Sequence, residues 1–279
     1  MEKCLVCGTH LSKHRFVGLL ECEKCGFITA DVTLKEDEIK RLYSEGYYNG
    51  EEYEDYLRDE AILCKQFNNR LDTIQKYKKN IDSVLELGCA YGFFLREASK
   101  RFKHVKGIDV AEAAVNYASN VLNMEAYVGD YYTEFPEESF DLVCMWDTIE
   151  HLQYPELYLD KISRNQKAGD MLCVTTGDIG SFLARIQGRK WRQIHPPTHL
   201  QYFSLKTLTK FLEKYNYKIV HQEYIPTEVC INTILYTYLC LRSNHKKIFD
   251  VLSKMPFTKM SIKVKLFDYM FLVAEKVED

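Results

Sequence analysis

The chain contains no run of about 18 apolar residues, the length that a membrane-crossing helix requires. The nearest approach, Val229 to Leu241, is shorter and is interrupted by Asn232 and Thr233. An excess of charge is also missing: 37 Lys and Arg face 40 Asp and Glu, a formal balance of −3 over 279 residues. Near-neutrality removes the whole-chain electrostatic footprint of a nucleic-acid binder and leaves a local basic patch as the remaining route to one. Repeats and low-complexity tracts are absent. With 46% hydrophobic and 13% aromatic residues, the composition excludes disorder, collagen and a coiled coil. The opening Met1-Glu2-Lys3-Cys4 lacks the charged-then-apolar order of a signal peptide, which sets the expectation of a cytoplasmic chain.

Cysteine, by contrast, is plentiful, with ten residues. In a chain without a secretory signal these read as reduced thiols or metal ligands. Cys4-Leu5-Val6-Cys7-Gly8 and Cys22-Glu23-Lys24-Cys25-Gly26 are paired Cys-x-x-Cys knuckles, each closed by a glycine. Each knuckle points two sulfurs at one ion, so Cys4, Cys7, Cys22 and Cys25 have the spacing of a tetrahedral zinc site. His14 to Gly18 and Leu19 to Glu21 supply short strands between them, giving a zinc-ribbon module over residues 1–35. A closed four-thiolate site has no open position for substrate, so its role is structural. Cys64, Cys89, Cys144, Cys173, Cys230 and Cys240 sit among apolar residues and read as core fillers.

Residues 36–79 carry apolar positions at helical spacing, including Ile39, Leu42, Leu63, Phe67, Leu71 and Ile74, which predicts two helices. Tyr43, Tyr47, Tyr48, Tyr53 and Tyr56 lie between and around them, a cluster suited to packing or to a polar-lined lid. Tyr43, Tyr47 and Tyr48 are the candidate substrate contacts here, and the glycine-bracketed segment 46–50 the candidate mobile element.

From residue 80 onward, short apolar runs alternate with helical patterns. Ser83 to Leu87, Val105 to Asp109, Ala126 to Asp130, Phe140 to Trp146 and Asp170 to Thr176 read as strands. Phe93 to Phe102 and Ala111 to Leu122 read as helices. Such alternation means an α/β fold with a parallel sheet covered on both faces, and ligands in such sheets bind at the carboxyl ends of the strands. The loop Glu86-Leu87-Gly88-Cys89-Ala90-Tyr91-Gly92 is Gly-x-x-x-Gly, not the Gly-x-Gly-x-x-Gly of dinucleotide binders. Glu86 is an acid at the turn, unfavourable beside a pyrophosphate and suited to a cationic ligand. Asp109, ending the next strand, stands where an acid commonly holds ribose hydroxyls.

On these residues the chain resembles the class I S-adenosylmethionine-dependent methyltransferases over almost its entire length. The likeness runs through Val84 to Gly92, Gly107-Ile108-Asp109, Gly129-Asp130, Phe135 to Val143 and Asp147-Thr148-Ile149-Glu150-His151. Phe267 to Lys276 looks like that family's final antiparallel strand, so the resemblance implies a Rossmann-like, seven-stranded, mostly parallel sheet. The four-cysteine start, the Tyr-rich cap and Trp191 to His199 resemble a zinc-ribbon branch, many members of which modify sugars of surface polysaccharides or natural products. The resemblance implies S-adenosylmethionine as cofactor, with Glu86, Gly88, Cys89, Ala90 and Gly92 beside its methionine portion. Asp109 would take the ribose hydroxyls and Asp130 the adenine amino group, with Val110 or Tyr131 flanking the ring and Asp147 nearby. Ala90 stands where many relatives have a further glycine.

An alcohol acceptor benefits from a base that removes its proton, and the unperturbed histidine pKa of about 6.5 suits that task. Glu150-His151 follows the fourth strand of the domain, as in related sugar methyltransferases. His151 is therefore the expected general base and Glu150 a substrate binder or orienter. Trp191, His195 and His199, the last two flanking Pro196-Pro197, are candidate substrate contacts. Asp147, Glu150 and His151 also resemble the metal-binding acids of ubiquinone-pathway O-methyltransferases, which keeps magnesium as a minority alternative. The rival functions are an RNA methyltransferase that docks nucleic acid on its ribbon, and a scaffold that binds cofactor without turnover. Residues 226–262 form an extra helical stretch, expected to be buried against its own domain or a second subunit, with membrane-surface contact as the rival.

Overall fold

The computed structural model describes residues 3–14, 16–42, 56–135, 137–243 and 245–278. Tyr43, Tyr47, Tyr48 and Tyr53, with the segment 46–50, lie outside the described residues. The chain begins with three short strands, β1 (Leu11–Lys13), β2 (Leu19–Cys22) and β3 (Ile28–Ala30), followed by helices α1 (Glu36–Leu42) and α2 (Glu60–Tyr77). Alternation then sets in: β4 (Ser83–Leu87), α3 (Phe93–Ser99), β5 (His104–Asp109), α4 (Glu112–Asn120), β6 (Glu125–Val128), α5 (Tyr131–Glu134) and β7 (Leu142–Trp146). It continues with α6 (Pro155–Asn165), β8 (Met171–Gly177), α7 (Phe182–Gln187), β9 (Gln201–Tyr202), α8 (Leu205–Glu213) and β10 (Tyr217–Tyr224). The carboxyl-terminal part holds β11 (Thr227–Cys230), α9 (Ile231–Tyr236), α10 (Lys246–Leu252), β12 (Ser261–Val264) and β13 (Tyr269–Lys276).

Seven strands form the central sheet in the order β10-β13-β8-β7-β4-β5-β6. The pairs β4–β5, β4–β7, β5–β6 and β7–β8 are parallel, whereas β13 runs antiparallel to both its neighbours. The sheet is thus the expected seven-stranded one with its last strand reversed. β4, β7 and β8 are buried almost throughout, which is why their sequences read as continuous apolar runs without alternation. Strand order reverses between β4 and β7, and a crevice opens there at the strands' carboxyl ends.

The four amino-terminal cysteines converge. Cys4 Sγ lies 3.5 Å from Cys25 Sγ, Cys7 Sγ lies 3.4 Å from Cys22 Sγ, and all four sulfurs fall within 4.8 Å of one another. This cluster is joined to the larger sheet's domain by hydrogen bonds and by rings. β3 pairs antiparallel with β9, far along the chain, and Phe27 packs against Phe203 at 5.2 Å, both fully buried.

The 226–262 stretch, expected to pack against its own domain or a second subunit, is not one continuous helix. The chain forms α9, then a π-helical stretch (Thr237–Arg242), and exposes Ile234 and Tyr238 while burying Asn232. Packing is one-sided: Tyr236 meets Phe249 of α10 at 5.5 Å, and β11 pairs with β12.

Because Phe27 and Phe203 close one continuous core, Phe27→Ala should cost about 3–5 kcal/mol, the usual loss for a buried phenylalanine. Chemical denaturation followed by near-UV and far-UV circular dichroism should still give a single, shifted transition. Two separated transitions would show that the cysteine cluster folds independently of the sheet.

Candidate active site

A cavity of about 680 Å³ occupies the crevice, bounded by the ends of β4, β5 and β7, by α2, and by residues of β11, α9 and the π-helical stretch. Its floor is the glycine turn. Gly88 has φ +77°, and a Cβ there would fall 2.5 Å from the Thr148 hydroxyl, which itself donates to Leu87 O at 2.9 Å. Glycine is needed on both counts. Gly92, φ +76°, is the N-cap of α3, and Ala90 adopts φ +44° between them.

Asp109 holds this loop in place. Its carboxylate accepts from Ala90 N at 2.8 Å and from Ala111 N at 2.9 Å, tying the β4 and β5 turns together. Asp130, expected to meet an adenine, accepts from Tyr132 N at 2.7 Å and from the Tyr158 hydroxyl, so it also organises its own wall. Tyr131 is buried and stacks on Tyr158 at 6.3 Å, while Val110 is exposed at the rim.

Charge in the cavity is unusual. Glu86, Asp147 and Glu150 all face it, and all three carboxyls are pushed above their ordinary range by burial. The negative charge of Asp109 adds to the effect on Glu86, and that of Asp147 to the effect on Glu150. Arg70 opposes the shift at Glu86 and Asp147. This arginine is itself buried, with its guanidinium 4.9 Å from the Trp146 ring centroid and 5.3 Å from that of Phe67. Glu86 Oε2 and Glu150 Oε2 have no hydrogen-bond partner among the described residues. A buried acid with an unmatched oxygen beside a glycine turn suits a cationic ligand.

Three histidines gather at the opposite side. His151 and His199 rings meet edge-on at 4.6 Å, and His195 lies 3.8 Å from His199. His151 Nδ1 is 2.9 Å from Thr198 O, and His199 Nδ1 is 2.9 Å from Gln193 O. A carbonyl only accepts, so each Nδ1 carries the proton, and in the neutral ring the lone pair belongs to Nε2. Burial lowers the His151 pKa to about 4 and that of His199 well below its usual value, which keeps both neutral. Ligand atoms of Glu150, His151 and His199 lie within 4.8 Å of one another, a grouping that could hold a metal ion. Asp147, assigned to such a set from sequence, is outside the grouping because it accepts the Tyr269 hydroxyl instead.

Of the residues singled out in sequence, Glu86, Gly88, Ala90, Asp109, Val110, Asp130, Tyr131, Asp147, Glu150, His151, His195 and His199 line the one cavity. Cys89, Gly92 and Trp191 stand behind its wall. Trp191 is buried and donates its indole N–H to Asp268 at 2.9 Å, so it supports Arg192, whose guanidinium is bound by the same carboxylate, and does not face the cavity. Arg70, Trp146, Tyr158, Arg192 and Tyr269 line the cavity without having been singled out. Arg70 left a signal: it sits on the apolar stripe of α2 with Phe67, Leu71 and Ile74, where an arginine needs a reason.

A methyltransferase-domain family model matches residues 55–222. Among curated proteins, the ubiquinone biosynthesis O-methyltransferase of Dictyostelium discoideum is 25% identical over 49% of this chain and 50% of its own length. The corresponding Maricaulis maris enzyme is 29% identical over 39% of this chain and 46% of its own. The chain therefore spans about half the length of the curated relatives it matches. A SAM-dependent methyltransferase from Archaeoglobus fulgidus shares the fold, with a TM-score of 0.54, 17% identity, and coverage of 83% of this chain and 97% of that one.

The raised Glu86 carboxyl has a thermodynamic consequence. A group whose folded pKa lies above its unfolded value binds more protons in the native state, so its stabilisation is lost as pH rises from the unfolded pKa. Glu86→Gln, which keeps the shape and removes the ionisation, should melt higher than the parent at pH 8. The gain should exceed about 1 kcal/mol, or a few degrees, and should shrink toward pH 5. A pH-independent difference would show that ionisation of Glu86 is not its source.

Proposed function

The chain belongs to the methyltransferase-domain family, and from that premise we propose that it transfers a methyl group from S-adenosylmethionine to a hydroxyl of a small molecule, with a sugar or sugar nucleotide of surface polysaccharide or natural-product biosynthesis as acceptor. The observation that carries this reading is the pairing, across one cavity, of the Glu86 glycine turn with the Nε2 side of His151.

When bound, S-adenosylmethionine supplies a methyl group activated by a positively charged sulfur. Glu86, with its unpartnered buried oxygen, is placed for the cationic methionine portion, and the Gly88 turn lets the backbone come close. Asp109 and Asp130 would meet the ribose and adenine, with Val110 and Tyr131 along the ring. Both carboxylates already brace their own loops, so each also fixes the shape of the cleft. His151 takes the acceptor proton on Nε2, while Thr198 O holds the other nitrogen and thereby the ring plane. Its low pKa leaves the imidazole neutral and ready at every pH above about 5. The imidazolium formed would lie near Glu150, an acid that can stabilise it. Gln66, Gln193, Thr233 and Thr237 give the acceptor side uncharged hydrogen-bonding groups, as a polyhydroxylated ligand requires. Arg192 is committed to Asp268, so the phosphates of a sugar nucleotide would extend past this wall. The curated relatives named for ubiquinone biosynthesis support a second reading, a phenolic hydroxyl held among Tyr56, Phe67, Trp146 and Tyr269.

The cysteine cluster fits a structural zinc. Zn–S bonds of 2.3 Å in a tetrahedron separate sulfurs by about 3.8 Å, close to the 3.4 and 3.5 Å between the paired thiols. Cys4, Cys7, Cys22 and Cys25 would fill all four positions, leaving none for substrate.

Two measurements test these assignments. Cys22→Ser with Cys25→Ser should lose the one zinc per chain found by elemental analysis of the untagged parent, and equal metal in both would defeat the site. His151→Ala should retain cofactor affinity by calorimetry and lose about 10²–10⁴-fold in turnover. The parent rate should show no acidic limb from this group between pH 6 and 9 and should be unchanged by chelators. A near-parental rate in His151→Ala would exclude it as the base. A rate abolished by chelation and restored by a divalent cation would instead favour a metal held by Glu150, His151 and His199.

A further inference from the structure

We propose that the outer face of residues 231–267 is a docking surface for an anionic lipid bilayer. This stretch carries seven Lys or Arg and a single acid, Asp250, a formal +6 in a chain of −3, so the remainder of the protein sums to −9. Charge of one sign is therefore concentrated in one structural unit, and Lys246, Lys247, Lys254, Lys263 and Lys265 are exposed on it.

The same unit exposes large apolar side chains. Ten of the 23 exposed large hydrophobic residues among the described ones fall between Ile234 and Phe267, including Val251 (67%), Met260 (62%) and Phe267 (58%). They belong to consecutive elements tied from within. Cys230 Sγ donates to Thr258 O at 2.9 Å, Ile231 N donates to Met260 O at 2.9 Å, and Thr258 is buried. The inner side of the unit is used differently, with Glu228 just before it and Thr233 and Thr237 within it lining the active-site cavity. What remains outside is an apolar surface interspersed with ammonium groups, as in Lys265, whose Nζ stands 5.1 Å from the Phe267 ring.

That combination selects the partner. Lysine stems lie along apolar surface while their heads reach phosphates, and Val, Ile, Met and Phe enter the region between headgroups and acyl chains. A bare polyanion such as RNA would engage the lysines and leave the apolar side chains without a role. A second copy would place two faces of like charge together. No helix among the described residues is long and apolar enough to cross a membrane, so the contact is with the bilayer surface. Docking would hold at the lipid surface the unit whose inner side, through Thr233 and Thr237, lines the cavity.

The test is flotation of the full chain with extruded vesicles, without cofactor or acceptor, so that its outcome is independent of the methyl-transfer reading. Vesicles of phosphatidylcholine with about one third phosphatidylglycerol should carry the protein, pure phosphatidylcholine should not, and added salt should release it. Lys246→Ala with Lys247→Ala should weaken partitioning about 25-fold, at about fivefold per surface cation. Val251→Ser with Met260→Ser should weaken it about tenfold or more while leaving the melting temperature within a degree or so, because both side chains are exposed. Absence of flotation, equal flotation with neutral vesicles, or unchanged partitioning of either variant would overturn the proposal. So would a concentration-dependent dimer in sedimentation velocity that dissociates on Val251→Ser with Met260→Ser, which would assign the face to a second copy. Duplex RNA that binds parent and apolar variant equally, and strips the parent from vesicles, would assign it to a polyanion.

Discussion

The carbonyl oxygen of Glu150 is the point through which the amino-terminal cysteines and the histidine cluster are coupled. It accepts from Leu200 N at 2.8 Å and Gln201 N at 3.0 Å, and Leu200 O in turn accepts from Ala30 N at 2.7 Å and the Thr29 hydroxyl at 3.0 Å. β3 of the cysteine-bearing strands therefore holds the segment that carries His199, and that segment holds the loop that carries His151. Two residues of β9 are a marginal strand alone. Pairing to β3 on one side and to the Glu150 loop on the other satisfies their backbone in a buried place where water cannot. By this route the cysteine-bearing strands, though distant from the cavity, share in fixing its edge, since β3 holds β9 and the segment that carries His199.

Burial explains the electrostatics of the cavity as well. Three carboxyls raised by burial, two histidines lowered by it, and one arginine over a tryptophan are all groups that an empty apolar cleft would not retain. The shifts of the carboxyls and of the histidines share a direction in effect: each moves its group toward the neutral form. A cationic ligand reverses that for the acids, because a positive charge within a few ångströms favours carboxylate. In the proposed reaction, methyl transfer to an alcohol would remove the positive charge of the donor and create one on His151. The total charge in the site is thus unchanged across the step, and a low-dielectric site is not required to solvate a new charge. Arg70 opposes the rise at Glu86 and Asp147.

Much of the fold was legible because its signals are local. Ser83–Leu87 was readable to the residue, since a fully buried parallel strand is a short apolar run between turn residues. α3 stops at Ser99, short of the expected Phe102, because Arg101 N and Phe102 N both turn back to Ala98 O. The site was legible where a motif carries it, as at Gly88, Asp109 and His151. It was illegible where the partners are distant in sequence. Tyr269 reaches Asp147 across 122 residues, and Trp191 meets Asp268 across 77, so no spacing rule records either. Trp191 was misread for that reason: its neighbours in sequence face the cavity, while its own partner lies on the other side of the wall.

The cavity is lined from two parts of the chain that differ in how tightly the core constrains them. The glycine turn, the β5 acid and the Glu150-His151 loop all rise from parallel strands whose register is fixed by the central sheet, so they can change little without losing the cleft. Glu228, Thr233 and Thr237 come instead from a unit outside that sheet, held by its own two-stranded pairing and by Lys65 on Glu228 at 2.8 Å. Its side chains can vary at small cost to the core, and three of them line the same cavity as the glycine turn. The stretch is expected to pack against its own domain or a second subunit, and the unit it forms has a cavity on one side and exposed apolar side chains on the other. Thr233 and Thr237 line the cavity, while Ile234 and Tyr238 are exposed.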